Sequence, residues 1–465
     1  MIHNLENVLA SGQTALEEGR HAEAAQAFDQ VRAAIPDNVT VCQMAAQAWR
    51  LARDTVRERD AWRGAYAVRQ AVDIPTLFEI GSGLLLSGAP FEARECLETV
   101  AAARARDSAA LGALAAACRS TGHLPEAWRL VTKALALSPR SPTLCLTAAQ
   151  IRHSQGNLAD AHRWLDKAEK LRPSHGPTKL QRGLTWLLSG PSAAGWEGFE
   201  ARGLPACPTG ARPWHGEPLT GQSIVVLAEQ GLGDLFHFLR FIPLLHDRGA
   251  TRVVIEAPPS THRLLIANGF TIVSPGALPE TDWYVPLLSL PHRLGTDSDH
   301  HWPGKPYLSV GSASEAVGQP SASRPRFGVS WKGNPAFLAT ALRDLDSHYL
   351  PALSGVADAE WLSLQIDEPC PPEFSGMAGP IGDWLDTARG LHSLDCVISI
   401  DTAVAHLAGA MGLPTLVLLP YSPDWRWGMT GDRTPWYPTA RLVRQQAPRD
   451  WPSAIALAAQ LLANL

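Results

Sequence analysis

Ser223-Ile-Val-Val-Leu-Ala-Glu-Gln-Gly-Leu-Gly-Asp-Leu-Phe-His237 is the stretch that decides the fold of the second half of this chain. Its apolar run, 223–227, is typical of a buried parallel strand, and the residues from Phe236 onward are typical of a helix. A strand, a two-glycine loop and a helix N-terminus form the usual ligand-facing corner of an open α/β sheet. The stretch therefore predicts a binding corner at Gly231 and Gly233, where the missing side chains let a ligand approach the backbone.

The carboxylate of Asp234 stands at the start of the predicted helix and has two interpretations. Aspartate is a preferred N-cap residue, because its side-chain oxygen accepts hydrogen bonds from the free N–H groups of the first turn. A carboxylate at a ligand-facing corner is also typical of a catalytic or binding group. The stretch alone leaves both interpretations open.

Composition narrows the class of protein. The chain has 465 residues and a net charge of −5, which predicts two or three domains and gives no basic footprint for nucleic acid. We find no apolar run of about 18 residues that would predict a membrane span, and no secretion signal at the N-terminus. The seven cysteines lack CxxC spacing and are typical of reduced thiols, so we expect a cytoplasmic protein.

A regular period runs through the first two hundred residues. The steps between successive marker positions are 35, 34, 34, 34 and 34 residues, the period of tetratricopeptide helix pairs. The markers are mostly glycine: Gly19, Asp54, Gly88, Gly122, Gly156 and Gly190. The residues seven positions earlier are mostly small, as expected where two helices cross: Gly12, Gln47, Gly81, Ala115, Ala149 and Gly183. Residues 1–205 are therefore predicted to be an all-α repeat array whose last unit caps the array and packs onto the next domain.

Stacked helix pairs of this kind form a concave surface that holds a peptide or protein segment. The array therefore predicts a protein partner without identifying it. A spacer or a dimerisation arm, which would make a homodimer, is the alternative interpretation.

The remaining chain is predicted to form two α/β halves. A turn-rich linker, 206–222, leads to an N-terminal half at 223–310, and a second linker, 311–325, leads to a C-terminal half at 326–465. Alternating strands and helices indicate parallel sheets covered on both faces. Predicted strands are 223–227, 252–256, 270–273, 283–285, 326–331, 361–364, 396–400 and 415–419.

Polar side chains follow three predicted strands of the C-terminal half. Lys332 and Asn334 follow the first, and a lysine beside Gly333 suits a phosphate as a point charge next to open backbone. Gln365 follows the second, where its amide could hydrogen-bond a base or a ribose. A solvated surface position is the ordinary alternative for Lys332.

The third of these strands ends in Asp401-Thr-Ala-Val-Ala-His406. Asp401 and Thr402 are predicted to start a helix, whose free N–H groups and positive dipole end suit a diphosphate. His406 lies four residues after Thr402 and so on the same helix face. A core histidine satisfied by a neighbour is the alternative.

Several other patterns predict no site. Asp344-Leu-Asp346 and Asp297-Ser-Asp299 have the letters of a metal motif that charged loops often show by chance, and His300-His301 has no third ligand nearby. We therefore predict no metal and no other cofactor. Trp425-Arg-Trp427 is interpreted as packing with a structural cation–π contact.

These motifs together resemble a known family. Gly231-Leu-Gly-Asp234 is similar to the N-terminal loop of the heptosyltransferases (glycosyltransferase family 9), and Asp401-Thr-Ala-Val-Ala-His406 to their C-terminal Asp-Thr-Gly-x-x-His element. More closely, the chain resembles bacterial proteins that fuse tetratricopeptide repeats to this domain, including flagellin-modification glycosyltransferases. Further matching stretches are Gly195–Arg202, Pro286–Pro291, Gly328–Asn334, Pro423–Trp427 and Thr434–Pro438.

The resemblance implies a GT-B glycosyltransferase of two Rossmann-like halves, with the donor on the C-terminal half and the acceptor on the N-terminal half. It implies metal-independent chemistry with Asp234 as general base. The implied donor contacts are Gly231, Gly233, Lys332, Asn334, Gln365, Asp401, Thr402 and His406. The acceptor-side candidates are Glu229, Gln230 and His237. Ala403 departs from the family, which usually has glycine there.

The expected function is inverting transfer of a sugar from a nucleotide-sugar donor to a Ser or Thr hydroxyl of a protein recruited by the repeats, with flagellin as the best single acceptor. The alternatives are a heptosyltransferase-like enzyme acting on lipopolysaccharide or another glycan, and a catalytically inactive repeat adaptor. The sequence identifies neither the sugar nor the nucleotide.

Overall fold

The computed structural model describes residues 2–296, 305–311, 324–334, 340–355, 358–366, 368–377 and 381–463. Two compact units make up the chain. The first comprises Met1–Pro173 with Asn334–Leu342, and the second comprises Ser174–Gly333 with Arg343–Leu465. The metal-like pair at Asp297 and Asp299, His300-His301 and most of the second linker, 312–323, lie outside the described residues.

The first unit is a helical repeat array that resembles tetratricopeptide repeats. Consecutive helices pack in pairs around a core rich in alanine, since small side chains let the helix axes approach each other. The helices are α1 Ile2–Glu17, α2 His21–Ala34, α3 Val39–Leu51, α4 Thr55–Ala67, α5 Ile74–Leu86, α6 Pro90–Ala103, α7 Ser108–Ser120, α8 Leu124–Leu137, α9 Pro142–Ser154 and α10 Leu158–Leu171. The predicted period is confirmed.

In the second repeat the marker position is Arg53 and not Asp54, which the sequence had predicted. The glycine markers have a left-handed backbone, and Arg53, with φ of +62°, takes that conformation in the second repeat. Asp54 is instead the N-cap of α4, because its side chain accepts from Arg57 N at 3.0 Å. Since Arg53 is the marker, the residue seven positions earlier is Ala46, which is fully buried, and not Gln47. The small residue at the helix crossing is thereby restored.

The second unit carries two parallel sheets. Its helices are α11 Gly176–Ser189, α12 Ala193–Phe199, α13 Leu232–Phe238, α14 Ile242–Asp247, α15 His262–Ala267, α16 Leu290–Leu294, α17 Thr340–Arg343 (which begins in the first unit), α18 Leu350–Ser354, α19 Trp384–His392, α20 Ala403–Ala410 and α21 Trp451–Leu462. Its strands are β1 Arg212–Pro213, β2 Ser223–Leu227, β3 Arg252–Glu256, β4 Ile272–Val273, β5 Trp283–Pro286, β6 Arg326–Ser330, β7 Glu360–Ser363, β8 Ser375–Gly376, β9 Cys396–Ile400, β10 Thr415–Leu419 and β11 Ala440–Arg444.

The first sheet has the strand order β1-β5-β2-β3-β4, and its paired strands run parallel. The central strand, β2, is buried over four of its five residues. Part of the predicted linker 206–222 belongs to this sheet, because Arg212 and Pro213 pair with β5 as its edge strand and Trp214 is buried behind them. Because β1 has only two residues, the sequence contains no alternation of apolar and polar residues that would predict it.

The second sheet has the strand order β11-β10-β9-β6-β7-β8, also with parallel pairs. Numbered from β6, this is the 3-2-1-4-5-6 order of doubly wound dinucleotide-binding folds. The order reverses between β6 and β9, so the crevice at their carboxyl ends is the topological switch point. The sequence predicted four of these six strands and missed β8 and β11.

Helices α11 and α12 belong to the second unit, although the sequence counts them as the last repeat. They cross so closely that a Cβ on Gly183 would lie 2.5 Å from Phe199 N. Trp196 of α12 is 1% exposed, and its ring packs edge-on to Phe238 and Trp425, at centroid distances of 6.4 and 5.3 Å. The division therefore falls after Pro173 and not at residue 205, because this aromatic cluster ties the helix pair to the α/β sheets.

Candidate functional site

Two switch points lie in the second unit, one in each sheet. In the first sheet the order reverses between β2 and β5, and in the second between β6 and β9. The loops that leave the carboxyl ends of these strands carry most of the residues predicted to bind or react. Ligands of open α/β sheets bind at such positions, so both switch points are candidate sites.

The first switch point is filled by an internal ion network. Arg202 donates to both carboxylate oxygens of Glu229, at 2.6 and 3.1 Å, and also to Glu200 at 2.7 Å. Glu229 further accepts from Leu288 N at 3.0 Å, across the crevice between β2 and β5. The Arg202 and Glu229 side chains are only 3% and 9% exposed. Glu229, predicted on the acceptor side, thus has internal partners, and its acceptor role stays a prediction.

The loop beyond Glu229 is strained and open. Gln230 is exposed and has a φ of +60°, which costs a non-glycine residue free energy. Gly231, also exposed, is the N-cap residue of α13. Strain of this kind clusters at functional sites, and the acceptor-side role of Gln230 stays a prediction.

Asp234 is not the N-cap residue of α13, which is Gly231, but lies three positions later in the first turn, and its catalytic or binding role stays a prediction. Its Oδ2 accepts from Gly231 N at 3.0 Å, as expected of a residue that caps its own helix start. Its Oδ1 accepts from Nη2 of Arg426, which lies 192 positions away in the second half of the unit. The side chain is 15% exposed. Both carboxylate oxygens therefore have partners within the chain.

Arg426 is a charged residue of the site that the sequence interpretation underestimated. It makes the predicted cation–π contact, with its guanidinium 4.4 Å from the ring centre of Trp425. It also donates from Nη1 to Asp424 at 2.8 Å, in addition to its bond to Asp234. Burial would lower the pKa of Arg426, but the carboxylates of Asp424 and Asp234 raise it. In the sequence, only the position of Arg426 between Trp425 and Trp427 indicated a structural role, and nothing in it indicated the bond to Asp234.

Gly233 lets the N-terminal turns of two helices meet. A Cβ at this position would lie 2.8 Å from Cδ2 of His406 and 3.6 Å from the backbone of Ala403. Helix α13, from the first half, therefore packs directly on α20, from the second. In this structure Gly233 is required by helix packing, and its predicted donor contact stays a prediction.

A buried chain of hydrogen bonds joins the two halves. The Tyr437 hydroxyl lies 2.9 Å from Nδ1 of His237 and 2.9 Å from Nδ1 of His406. Nε2 of His406 lies 3.4 Å from Oδ1 of Asp401. His237 is fully buried, and His406 is 4% exposed with its ring stacked on Trp427.

The partners fix the protons of this chain. When Nε2 of His406 donates to Asp401 and its Nδ1 accepts the Tyr437 proton, His237 must donate from Nδ1 to the Tyr437 oxygen. Burial, helped by the charges of Arg240 and Arg426, holds the pKa of His237 well below its usual range, so its ring is neutral. His406 is thus a buried histidine whose two ring nitrogens both have partners, as in the alternative interpretation of a core residue. The phosphate contact of His406 and the acceptor contact of His237 stay predictions.

The second switch point gathers Lys332, Gln365 and the start of α20. Oε1 of Gln365 accepts from Trp331 N at 3.4 Å and from Lys332 N at 3.2 Å, so this side chain closes the end of β6. Nζ of Lys332 donates to Glu368 at 2.7 Å, and both of these side chains are partly exposed. Lys332 and Gln365 are therefore neighbours, and their donor contacts stay predictions.

Arg343 joins this cluster without a sequence signal. A Cβ on Gly333 would lie 1.9 Å from a guanidinium nitrogen of Arg343, so the glycine makes room for the arginine. Asp344 accepts from Gly333 N at 3.2 Å, and Asp346 accepts from His348 N at 3.0 Å. Asp344 and Asp346, which have the letters of a metal motif, thus each bond a nearby backbone amide. Asn334 is exposed, and its donor contact stays a prediction.

The N-terminus of α20 lacks a side-chain cap. Thr402 is its N-cap residue, but the hydroxyl of Thr402 lies 3.0 Å from Ser399 Oγ and does not bond the first turn. Burial would raise the pKa of Asp401, but its hydrogen bond with His406 and the charges of Arg343 and Arg426 hold it below its usual range. An ionised Asp401 therefore stands beside two arginines and an uncapped helix start.

A separate surface groove of about 640 Å³ lies between α15 and α19 and is lined by Arg263, Ile266, Ala267, Leu385 and Arg389. None of the predicted site residues lines this groove. Of the described residues, no group of three or more His, Cys, Asp or Glu side chains is placed to hold a metal ion. In the same part of the chain, no helix is both long and apolar enough to cross a membrane.

Comparison with known proteins gives limited similarity. No family model matches the chain. Protein FlbA from Caulobacter vibrioides is 23% identical over 314 residues, which cover 57% of this chain and 51% of that protein. The chain thus spans about half the length of this curated relative.

Solved structures that are similar to the chain include several repeat proteins. MamA is 15% identical with a TM-score of 0.31, covering 37% of this chain and 94% of MamA. YrrB, described as a TPR protein with an unusual peptide-binding site, is 16% identical with a TM-score of 0.30, over 37% of this chain and 88% of YrrB. A tetratricopeptide repeat protein from Parabacteroides merdae is 15% identical with a TM-score of 0.37, over 42% and 77% of the two chains. The repeat assignment rests on the helix pairs of the first unit.

Proposed function

We propose that the second unit is a GT-B glycosyltransferase that moves a sugar from a nucleotide-sugar donor to a Ser or Thr hydroxyl of a protein, with flagellin as the acceptor to test first. The observation that carries this proposal is the convergence of Asp234, from the switch point of one sheet, with Arg426 and the α20 start at the switch point of the other. A carboxylate on one side and an anion-ready corner on the other are the two groups that sugar transfer needs.

The second switch point supports binding of the donor. Lys332 is partly exposed next to Gly333, and the start of α20, where the Thr402 side chain makes no cap bond, offers N–H groups and a positive dipole end. Arg343 and Arg426 add positive charge beside Asp401. In the proposed reaction these groups stabilise the charge that builds on the leaving phosphate. Gln365 lies next to Lys332, and because its Oε1 accepts from two backbone amides, its Nε2 group is the part proposed to contact a ribose or a base.

Asp234 is the proposed general base. As the acceptor oxygen attacks the anomeric carbon, its proton passes to the Asp234 carboxylate, and the bond from the sugar to the leaving phosphate breaks. Attack from the side opposite that bond inverts the anomeric centre. The hydrogen bond from Gly231 N holds the carboxylate toward the open loop at Gln230.

The repeat array is proposed to recruit the acceptor protein. A cleft that reads one sugar and one hydroxyl offers too little surface to select a protein, whereas a specific interface needs roughly 1,000 Å². A chain that begins at Ser174 keeps α11 and α12, and so the whole second unit. It is expected to bind the donor and to glycosylate the protein poorly at low acceptor concentration.

The deciding experiment incubates the full chain with flagellin and a panel of UDP-, ADP-, GDP- and CMP-linked sugars, followed by intact-protein mass spectrometry. A mass increase of one sugar residue, localised to Ser or Thr, is the expected result. The test variant is Asp234→Asn, which removes the proposed base. Its matched control is Asp432→Asn, which changes an exposed aspartate of the same unit. Transfer that is equal in Asp234→Asn and the unchanged chain would remove the assigned base.

A catalytically inactive adaptor is the second candidate, favoured by one observation. Asp234, His406 and Arg426 all have partners within the chain, as residues kept for structure would. An adaptor would show no turnover or binding of any donor, while the repeats would still retain the partner. Transfer to a soluble lipopolysaccharide sugar at equal rate with and without residues 1–173 would instead favour the heptosyltransferase-like alternative.

A further inference from the structure

We propose that Arg426 is a positioning residue that exchanges partners: it holds the Asp234 carboxylate in the unliganded protein and releases it when a donor phosphate takes the guanidinium. This inference rests on the proposed function and adds an order of events to it. It makes the base available only after the donor has bound, so the donor precedes the acceptor.

The first argument is the occupancy of Asp234. A general base needs a carboxylate oxygen that is free to accept the proton of the acceptor hydroxyl. Oδ2 is held by Gly231 N, and Oδ1 is held by Arg426. The bond to Gly231 is local and keeps the carboxylate in place, so the bond to Arg426 is the one that a bound ligand can replace.

The second argument is that Arg426 has donors to spare. Nη1 is fixed by Asp424, and Nη2 is given to Asp234. Its buried Nε has no hydrogen-bond partner among the residues that the structure describes. The side chain is 8% exposed, so this N–H group has lost water without gaining an acceptor, which is costly. A phosphate that reached Nε and Nη2 together would form two hydrogen bonds along one edge of the planar guanidinium.

The third argument is the position of the guanidinium. Its charge acts on Asp401, the residue before the N-cap of α20, and the buried indole Nε1 of neighbouring Trp427 is also without a partner among the described residues. Arg426 thus stands between the proposed base and the proposed phosphate corner. Each N–H of Nη2 donates one strong hydrogen bond, so a phosphate that takes the N–H now given to Asp234 displaces that carboxylate, and the two anions compete for it.

Competition has a measurable consequence, because coupling between two ligands of one group is reciprocal. If Asp234 competes with phosphate for Arg426, then removing the charge of Asp234 must tighten phosphate binding. A salt bridge that is only structural predicts a gain no larger than that from removing the charge of Asp424, which repels an anion at the same guanidinium. The probe is inorganic pyrophosphate, titrated by calorimetry into the full chain at pH 8.

Four proteins are compared: the unchanged chain, Asp234→Asn, Asp424→Asn, and Asp234→Asn combined with Arg426→Gln. We expect Asp234→Asn to bind pyrophosphate at least about fivefold more tightly than the unchanged chain. Asp424→Asn removes one charge from the same guanidinium but leaves Nη2 engaged, so its gain is expected to be smaller. In the Arg426→Gln background the gain from Asp234→Asn is expected to vanish, and Arg426→Lys is expected to restore part of it.

Equal affinity of the unchanged chain and Asp234→Asn, or equal gains for Asp234→Asn and Asp424→Asn, would overturn the exchange and leave the diphosphate site standing. No pyrophosphate binding by any of the proteins would overturn the exchange together with the diphosphate site of the proposed function. If Arg426→Gln fails to fold, as thermal melting would reveal, the comparison of the two aspartate variants decides alone.

Discussion

The two switch points of the second unit share a topology and differ in what fills them. At the first, Arg202 and Glu229 form a nearly water-free ion network that ties the 200–202 turn to the sheet. At the second, Lys332 is partly exposed and the start of α20 has no side-chain cap. The same kind of crevice is therefore closed by internal ion pairs in one sheet and carries a partly exposed lysine in the other. Topology marks where a ligand can bind, and the side chains decide whether that place is free.

The largest expected effect tests the structural half of this comparison. Arg202→Ala leaves Glu229 and Glu200 buried without their shared partner, so it is expected to lower the free energy of unfolding by about 3–5 kcal/mol. Urea denaturation followed by tryptophan fluorescence measures the change. The matched control is Arg433→Ala, whose exposed guanidinium bonds only one carbonyl and which is expected to change stability by less than about 0.5 kcal/mol. Equal effects would mean that the first switch point is not held by its ions.

Asp234→Asn tests the reactive half. The amide keeps an oxygen for Gly231 N, so the fold is expected to remain, while transfer is expected to fall by about 100-fold or more because the base is lost. Initial rates with saturating donor give the comparison with Asp432→Asn. Turnover like that of the unchanged chain would demote Asp234 to a helix cap.

Lys332→Ala sharpens the contrast in ligand binding. Removing a phosphate contact at the second switch point is expected to weaken nucleotide affinity by about tenfold, the scale of one charge-assisted hydrogen bond. Lys305→Ala is the matched lysine control, because Lys305 is exposed outside both crevices, and it is expected to leave affinity unchanged. Calorimetric titration with the nucleotide of the active donor measures both. An unchanged affinity in Lys332→Ala would place the donor elsewhere.

The smallest expected effect concerns acid stability. The pKa of Asp401 is lowered in the folded protein, so its contribution to stability is present above the unfolded value, near 3.9, and is lost as the pH falls through the folded value. Asp401→Asn is therefore expected to flatten the loss of stability below about pH 4 by roughly 1 kcal/mol. Denaturation midpoints at pH 3 and pH 6 give the slope. An identical slope in the variant would assign the acid sensitivity to other carboxylates.

The sequence predicted the regular features well. The 34-residue period and eight strands were readable because periodicity and apolar runs are local signals. The features that were missed or mispositioned depend on partners: the edge strands β1, β8 and β11, the left-handed Arg53 and the boundary after Pro173. A two-residue strand is defined by the strand beside it. The left-handed backbone of Arg53 is imposed by the turn between α3 and α4.

The candidate site divides in the same way. By itself the sequence determined that two strand–loop–helix corners exist and which polar residues stand on them, since these follow from local pattern. Only the tertiary structure decided how those residues are used. It placed Arg426 on Asp234 across 192 positions, Arg202 on Glu229 across 27, and Tyr437 between His237 and His406. The physical reason is that a buried charge or hydroxyl must find its partner wherever the fold supplies one, and sequence distance carries no record of that choice.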